Sequence, residues 1–295
     1  MTSSTRWPYG RGMTTETTAE ARTVQANGID IHYLDQGEGD TLVLLHGGVV
    51  STNPLWTGVP IAYPSHMEAL AARFRVIAPD TRGSGRTRHS DGPITFDVLA
   101  DDVAALIRAL GLERPAVAGF SEGGITATIL GIRHQGSVRA IVNDAGFDAF
   151  DPAAPTLPIM RQILGGRPDA TEANPDIAAR QFEASEQMRP LFKLMKRDQD
   201  EGQGDGHWRT YLELTWERVM AFPGYTYSDF ASITAPTLIL GGDRDEFCPV
   251  EQAVAAYRQL PDGELAILPG HGHYIPPAAI EATIEFLERR AGGGA

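Results

Sequence analysis

The stretch Ala116-Val-Ala-Gly-Phe-Ser-Glu-Gly-Gly124 decides how the rest of the chain is read. An apolar run of β character ends in Gly119-Phe120-Ser121-Glu122-Gly123, and a helix-like run follows from Gly124 to His134. Glycines two residues before and two after a serine, at a strand-to-helix junction, give the G-x-S-x-G pattern of a turn too tight for side chains at the flanking positions. Ser121 is therefore a candidate nucleophile. A solvated serine in a glycine-rich turn would have the same local sequence, so the surroundings carry the decision.

Upstream, Thr41-Leu-Val-Leu-Leu45 and Phe74-Arg-Val-Ile-Ala78 are short apolar runs suited to strands buried on both faces. Between the second of these and the elbow, Val98, Leu99, Val103, Leu106, Ile107 and Leu110 recur at helical spacing. Downstream, Val138-Arg-Ala-Ile-Val142 continues the alternation of strand and helix, which implies a mostly parallel sheet with right-handed crossovers. Arg22 to Ala26 and Ile29 to Leu34 flank Asn27-Gly28, the dipeptide of a two-residue turn, and predict an antiparallel opening hairpin. The rhythm breaks after about Phe147. Helical stretches over Ala178 to Lys196 and Trp208 to Met220, with a polar run from Asp198 to Gly206, occupy the chain up to Thr234. An insertion of that length is expected to be a cap, because long structureless loops are uncommon in compact domains. Thr237-Leu-Ile-Leu240 and Glu264-Leu-Ala-Ile-Leu268 resume the sheet, and Pro276 to Arg290 closes the chain as a helix. The expected organisation is a mobile tail over 1–21, an α/β core over 22–146 and 235–290, and a helical cap over 147–234 inserted after the sixth strand.

Composition bounds the function. Of 295 residues, 42% are hydrophobic and 21% charged, enough to bury a full core, and the formal net charge is −13. That acidity argues against nucleic-acid and anionic-membrane partners, which require a basic face. Cys248 is the only cysteine, so no intrachain disulfide and no cysteine-rich metal site is possible. The first ten residues lack the apolar segment of a secretory signal and no run is long enough to span a bilayer, so a cytoplasmic protein is expected. The chain has no internal repeat, and nothing in it speaks to its oligomeric state.

Two further loops lie just past the ends of predicted strands, at the sheet edge where ligands bind. They are Gly241-Gly-Asp-Arg-Asp-Glu-Phe-Cys-Pro249 and Gly270-His-Gly-His273, and with Ser121 they give the order Ser, Asp, His. On these residues the chain resembles the α/β-hydrolase family from the opening hairpin to the final helix. His46-Gly-Gly looks like its oxyanion loop, Asp80-Thr-Arg-Gly-Ser-Gly85 like its D-x-R-G-x-G turn, Asp245 like its acid and His273 like its base. The resemblance implies an acyl-transfer site. Ser121 attacks a carbonyl, His273 takes its proton, Asp245 fixes the imidazole, and the backbone N–H groups of Glu122 and of Gly48, or alternatively Val49, meet the oxyanion. It implies no metal and no organic cofactor.

Other residues have quieter readings. Asp243 is a rival acid or a turn carboxylate, His271 a loop brace, and His46 an organiser of the oxyanion loop. Asp80 and Arg82 are expected to be structural, and Cys248 a packing residue. Gly119-Phe-Ser-Glu-Gly-Gly-Ile125 is similar to the G-W-S-D-G-G-I elbow of valacyclovir-hydrolase-like proteins, which implies that Glu122 could hold a cationic substrate group; bonding to nearby backbone or to an arginine is the alternative. Glu122, Val49 and Trp208 are the candidate substrate contacts, with Met160, Leu164, Phe192, Tyr211 and Trp216 either pocket wall or cap core. The leading expectation is a serine hydrolase of a small carboxylic ester, lactone or related acyl substrate. A C–C bond hydrolase, a cofactor-free dioxygenase and a hydrolase-fold ligand receptor are the alternatives.

Overall fold

The computed structural model describes residues 19–48, 66–89, 92–151, 153–186, 188–221 and 224–291. Its elements in chain order are β1 (Glu20–Ala26), β2 (Ile29–Gln36), β3 (Thr41–Leu45), α1 (His66–Ala71), β4 (Arg75–Pro79), α2 (Phe96–Ala109), β5 (Ala116–Phe120), α3 (Glu122–Arg133) and β6 (Ala140–Asp144). Four helices follow, α4 (Thr156–Gly165), α5 (Pro175–Ala184), α6 (Met188–Gln203) and α7 (His207–Met220), and then β7 (Thr237–Gly242), α8 (Val250–Tyr257), β8 (Gly263–Leu268) and α9 (Pro277–Ala291). Single 3-10 turns at Asp148–Phe150 and Tyr227–Ser232 bracket the helical insertion.

Eight strands form one sheet in the order β1-β2-β4-β3-β5-β6-β7-β8. The opening hairpin and the β2–β4 pair are antiparallel, and every other pair is parallel. The central strands β3, β4 and β5 are almost wholly buried because helices cover both faces, which is why they read as continuous apolar runs rather than alternating ones. Asn27 and Gly28 both have positive φ, 47° and 78°, as a two-residue turn between twisted strands requires. No helix among the described residues is long and apolar enough to cross a membrane.

Several boundaries differ from the sequence expectation. Strand β1 starts at Glu20, so residues 20 and 21 of the expected tail belong to the sheet; residues 1–18 of it lie outside the described residues. Strand β6 begins two residues later than expected and runs on to Asp144, because its register pairs Ala140 with Ala116 and Asp144 with Phe120. The single helix expected over 178–196 is two. Ser185 turns to an extended conformation at the end of α5, and its hydroxyl accepts the Met188 N–H at 3.2 Å, starting α6. Helices α4 and α8 are additional to the elements expected from the sequence.

The apolar interior has two parts. One surrounds the sheet; the other lies among α4–α7, where Leu164, Phe182, Phe192, Met195, Trp208, Tyr211 and Trp216 pack on one another. This second core holds the four inserted helices together. Helices α6 and α7 fasten it to the 80–87 turn. Gln199 Oε1 accepts the Gly85 N–H at 2.9 Å, its amide donates to Ser84 Oγ at 3.2 Å, and His207 Nε2 lies 3.0 Å from the Gly83 carbonyl.

Candidate active site

The elbow is the tightest point in the backbone. Ser121 sits between β5 and α3 with φ 52° and ψ −118°, a conformation that costs a non-glycine residue of order 1–3 kcal/mol and persists only where its surroundings hold it. The flanking glycines are required by contact with backbone. A Cβ on Gly119 would lie 2.2 Å from the Gly123 carbonyl, and one on Gly123 would lie 2.4 Å from the Leu45 carbonyl. Ser121 N donates to the Asp144 carbonyl at 2.8 Å, and its side chain makes no cap hydrogen bond to α3. The hydroxyl is thereby turned out of the helix.

It meets His273. Nε2 of His273 lies 3.1 Å from Ser121 Oγ, and Nδ1 lies 2.8 Å from Asp245 Oδ2. The other Asp245 oxygen accepts the N–H groups of Phe247 at 2.9 Å and Cys248 at 3.0 Å, so the acid loop after β7 grips its own carboxylate. The imidazole lies between two aromatic rings, Phe120 at 5.0 Å and Phe247 at 4.7 Å between centroids. A carboxylate accepts but does not donate, so Nδ1 carries the proton and Nε2 keeps a lone pair facing the serine. Asp144, at the end of β6, is pushed well above the ordinary carboxylate range by burial and by the charge of Asp245.

The loop after β3 lies against the elbow. A Cβ on Gly47 would come within 3.3 Å of Ser121 Cβ, so the backbone passes directly over the serine. His46 shapes this passage. It is 2% exposed, its Nδ1 donates to the Gly47 carbonyl at 2.8 Å, and its Nε2 accepts the Thr81 N–H at 3.1 Å. Burial lowers its pKa, an effect that the Gly47 carbonyl and the Asp80 charge only partly offset. The fold therefore disfavours the protonated form of His46 relative to the unfolded chain, where its value is about 6.5. Stability should therefore fall as pH drops below about 6.5, by at most about 1.4 kcal/mol per pH unit from this group. Burial would raise Asp80, but bonds from His32 and the Arg86 N–H outweigh it and hold its pKa low. Its contribution is accordingly lost only below about pH 3.9. We expect the thermal midpoint to decline between pH 6.5 and 5, and this decline to flatten in His46→Gln; an unchanged slope in that variant would refute the assignment.

The remaining sequence candidates sort by contact. Asp243 accepts the Gly270 N–H and His271 pairs with the Tyr274 hydroxyl, both on the exposed side of the loops. Arg82 and Asp102 form a buried two-point ion pair that also binds the Asn27 side chain. Cys248 Sγ lies 3.0 Å from the Ala145 carbonyl and 3.3 Å from Asp148 Oδ1, the two acceptors within reach of its one thiol proton. Its sulfur lies with one atom each of Asp245 and His273 inside 4.8 Å, the one group of possible metal ligands among the described residues. Burial and the nearby carboxylates of Asp148 and Asp245 push the thiol well up, which disfavours the thiolate that a metal would need.

Two of the candidate substrate contacts are engaged within the protein. Trp208 lies in the second apolar core. It is 3% exposed, stands edge-on to Phe192 in the cap core and is flanked by Lys196 and Arg209, because four amphipathic helices need their own apolar centre. Leu164, Phe192, Tyr211 and Trp216 share that core. Glu122 does not offer an open carboxylate. Arg218 on α7 donates to its Oε2 at 2.6 Å, with side chains 2% and 12% exposed for Arg218 and Glu122 respectively. Val49 lies outside the described residues. Arg218, Phe247 and Asp144 were not legible as site residues; only the short spacing of Phe247 from Asp245 gave a hint.

The profile of the alpha/beta hydrolase fold family matches residues 40–277. A 2-hydroxy-6-oxo-6-(2'-aminophenyl)hexa-2,4-dienoic acid hydrolase of Metapseudomonas resinovorans is 26% identical over 281 residues, covering 92% of this chain and 91% of its own. A non-heme haloperoxidase of Rhodococcus erythropolis is 26% identical over 260 residues, covering 84% and 90%. Among solved structures, the enol-lactonase from Burkholderia xenovorans LB400 superposes with a TM-score of 0.71 at 20% identity, over 90% of this chain and all of that one. With the sheet order, the elbow and the match over most of its length, the chain belongs to the α/β-hydrolase fold family.

Proposed function

We propose that this protein is a serine hydrolase that cleaves a small carboxylic ester, lactone or related acyl substrate through an acyl-serine intermediate. The observation that carries the reading is the unbroken relay Ser121 Oγ, His273 Nε2, His273 Nδ1, Asp245 Oδ2, with gaps of 3.1 Å and 2.8 Å. His273 takes the serine proton as Oγ bonds to the carbonyl carbon, and returns it to the leaving group as the tetrahedral intermediate collapses. Water, deprotonated by the same imidazole, then releases the acid and restores the serine. The Glu122 N–H, in the first turn of α3 where no helical carbonyl can accept it, and the Gly48 N–H are the donors assigned to the oxyanion.

A second reading is favoured by one observation. The Metapseudomonas relative is named for a 6-oxo-dienoic acid, which has no ester to cleave, so its hydrolysis must break a carbon–carbon bond beside the ketone. Both readings use the same relay and differ in the group that leaves. The test is to treat the protein with a fluorophosphonate and to assay a panel of a short-chain p-nitrophenyl ester, a lactone and a 2-hydroxy-6-oxo-dienoate. A covalent adduct on Ser121 with ester or lactone turnover is expected. Turnover of the dienoate alone would transfer the assignment to the second reading, and absence of an adduct would remove both.

A further inference from the structure

We propose that Arg218 is a positioning residue of this reaction, a fixed counter-charge that cancels Glu122 beside the oxyanion site and so lets negative charge develop there. The inference rests on the reading of Ser121 as nucleophile. Glu122 follows Ser121 directly, and its carboxylate is pressed against the loop that supplies the other assigned donor: a Cβ on Gly48 would lie 2.4 Å from Glu122 Cδ and 2.5 Å from its Oε1. A carboxylate therefore sits between the two segments whose N–H groups would bind the oxyanion. Unpaired, it would repel that oxyanion across a few ångströms of protein, where little water screens the charges.

Arg218 comes from far away in sequence. It reaches Glu122 Oε2 from the cap helix α7 at 2.6 Å, donates to Thr215 Oγ1 at 3.3 Å and lies over the Phe96 ring. Among the described residues, Glu122 Oε1 and Arg218 Nε have no hydrogen-bond partner, so each group relies on the other for charge balance. The same helix carries Tyr211, bonded to Ser84 of the 80–87 turn, and the cap is fixed there by Gln199 as well. Helix α7 thus holds the cation at a set position against the elbow, so the docking of that helix on the 80–87 turn also fixes the charge balance of the oxyanion site.

A purely architectural ion pair and an electrostatic one make different forecasts. Breaking an architectural pair from either side should be equally harmful. If the sign of the residual charge matters, Arg218→Met, which leaves an anion, should be far worse than Glu122→Gln, which leaves a cation. The experiment measures kcat and KM for a short-chain ester in Arg218→Met, Arg218→Lys, Glu122→Gln and the double variant Glu122→Gln/Arg218→Met, with melting curves to establish that each is folded. Arg218→Met should lower kcat about 100-fold, with KM changed by less than about threefold. Arg218→Lys, Glu122→Gln and the double variant should each retain kcat within about tenfold of the parent.

Equal losses in the two single neutral variants, or a double variant as slow as Arg218→Met, would overturn the proposal. Should Arg218→Met fail to fold, a kcat loss beyond about 100-fold in Glu122→Gln or in the double variant would overturn it on its own. Ser121→Ala, assayed alongside, separates the two levels of argument. If it keeps turnover, the reading of the site fails; if it is inactive while folded Arg218→Met matches the parent, only the role of Arg218 fails.

Discussion

Ser121→Ala is expected to lower kcat for ester cleavage by about 10⁵–10⁶-fold with the melting temperature unchanged or raised. The loss is large because no other group in the relay can form the acyl intermediate, and His273 without the serine has only water to activate. Stability is spared because the Ser121 hydroxyl makes no cap bond to α3, so alanine removes its contact with His273 Nε2 and nothing structural. The strained backbone at Ser121 is as accessible to alanine as to serine. A residual rate within 100-fold of the parent would mean that the hydroxyl is not the nucleophile. Oxygen consumption that survived the substitution would point instead to the Asp–His pair acting alone.

Asp245→Asn should cost about 10⁴-fold in kcat, and the structure supplies a specific reason. Two N–H donors, from Phe247 and Cys248, converge on Asp245 Oδ1, and an asparagine must keep its oxygen there. Its NH₂ group is then forced toward His273 Nδ1, which has to become an acceptor. The ring proton moves to Nε2, and the nitrogen 3.1 Å from Ser121 Oγ becomes a donor that cannot take the serine proton. Because the defect is one of tautomer rather than of folding, the fluorophosphonate adduct on Ser121 should form about 10⁴-fold more slowly while substrate KM is preserved. Near-parental labelling in a correctly folded variant would show that the carboxylate does not set the histidine.

Much of the arrangement was legible before any coordinates. The elbow could be read because Gly119 and Gly123 are demanded by backbone contacts that no side chain survives, so the local sequence is forced to record the geometry. The buried strands could be read because coverage on both faces leaves only apolar positions. The strand end at Asp144 and the break at Ser185 were hidden. An acidic residue closes β6 for reasons of register with β5, and a single serine hydroxyl stops one helix and starts the next.

By itself, the sequence determined the fold and singled out Ser121, Asp245 and His273 as candidates, because periodicity and tight turns are local constraints that each segment must satisfy on its own. Only the tertiary structure decided what each polar side chain faces. Trp208 became part of a second apolar core because four helices had to bury their inner sides, and Glu122 met Arg218, 96 residues away, because α7 packs back against the elbow. Such pairings arise from charge neutralisation in a region that excludes water, and no short-range pattern in the chain encodes them.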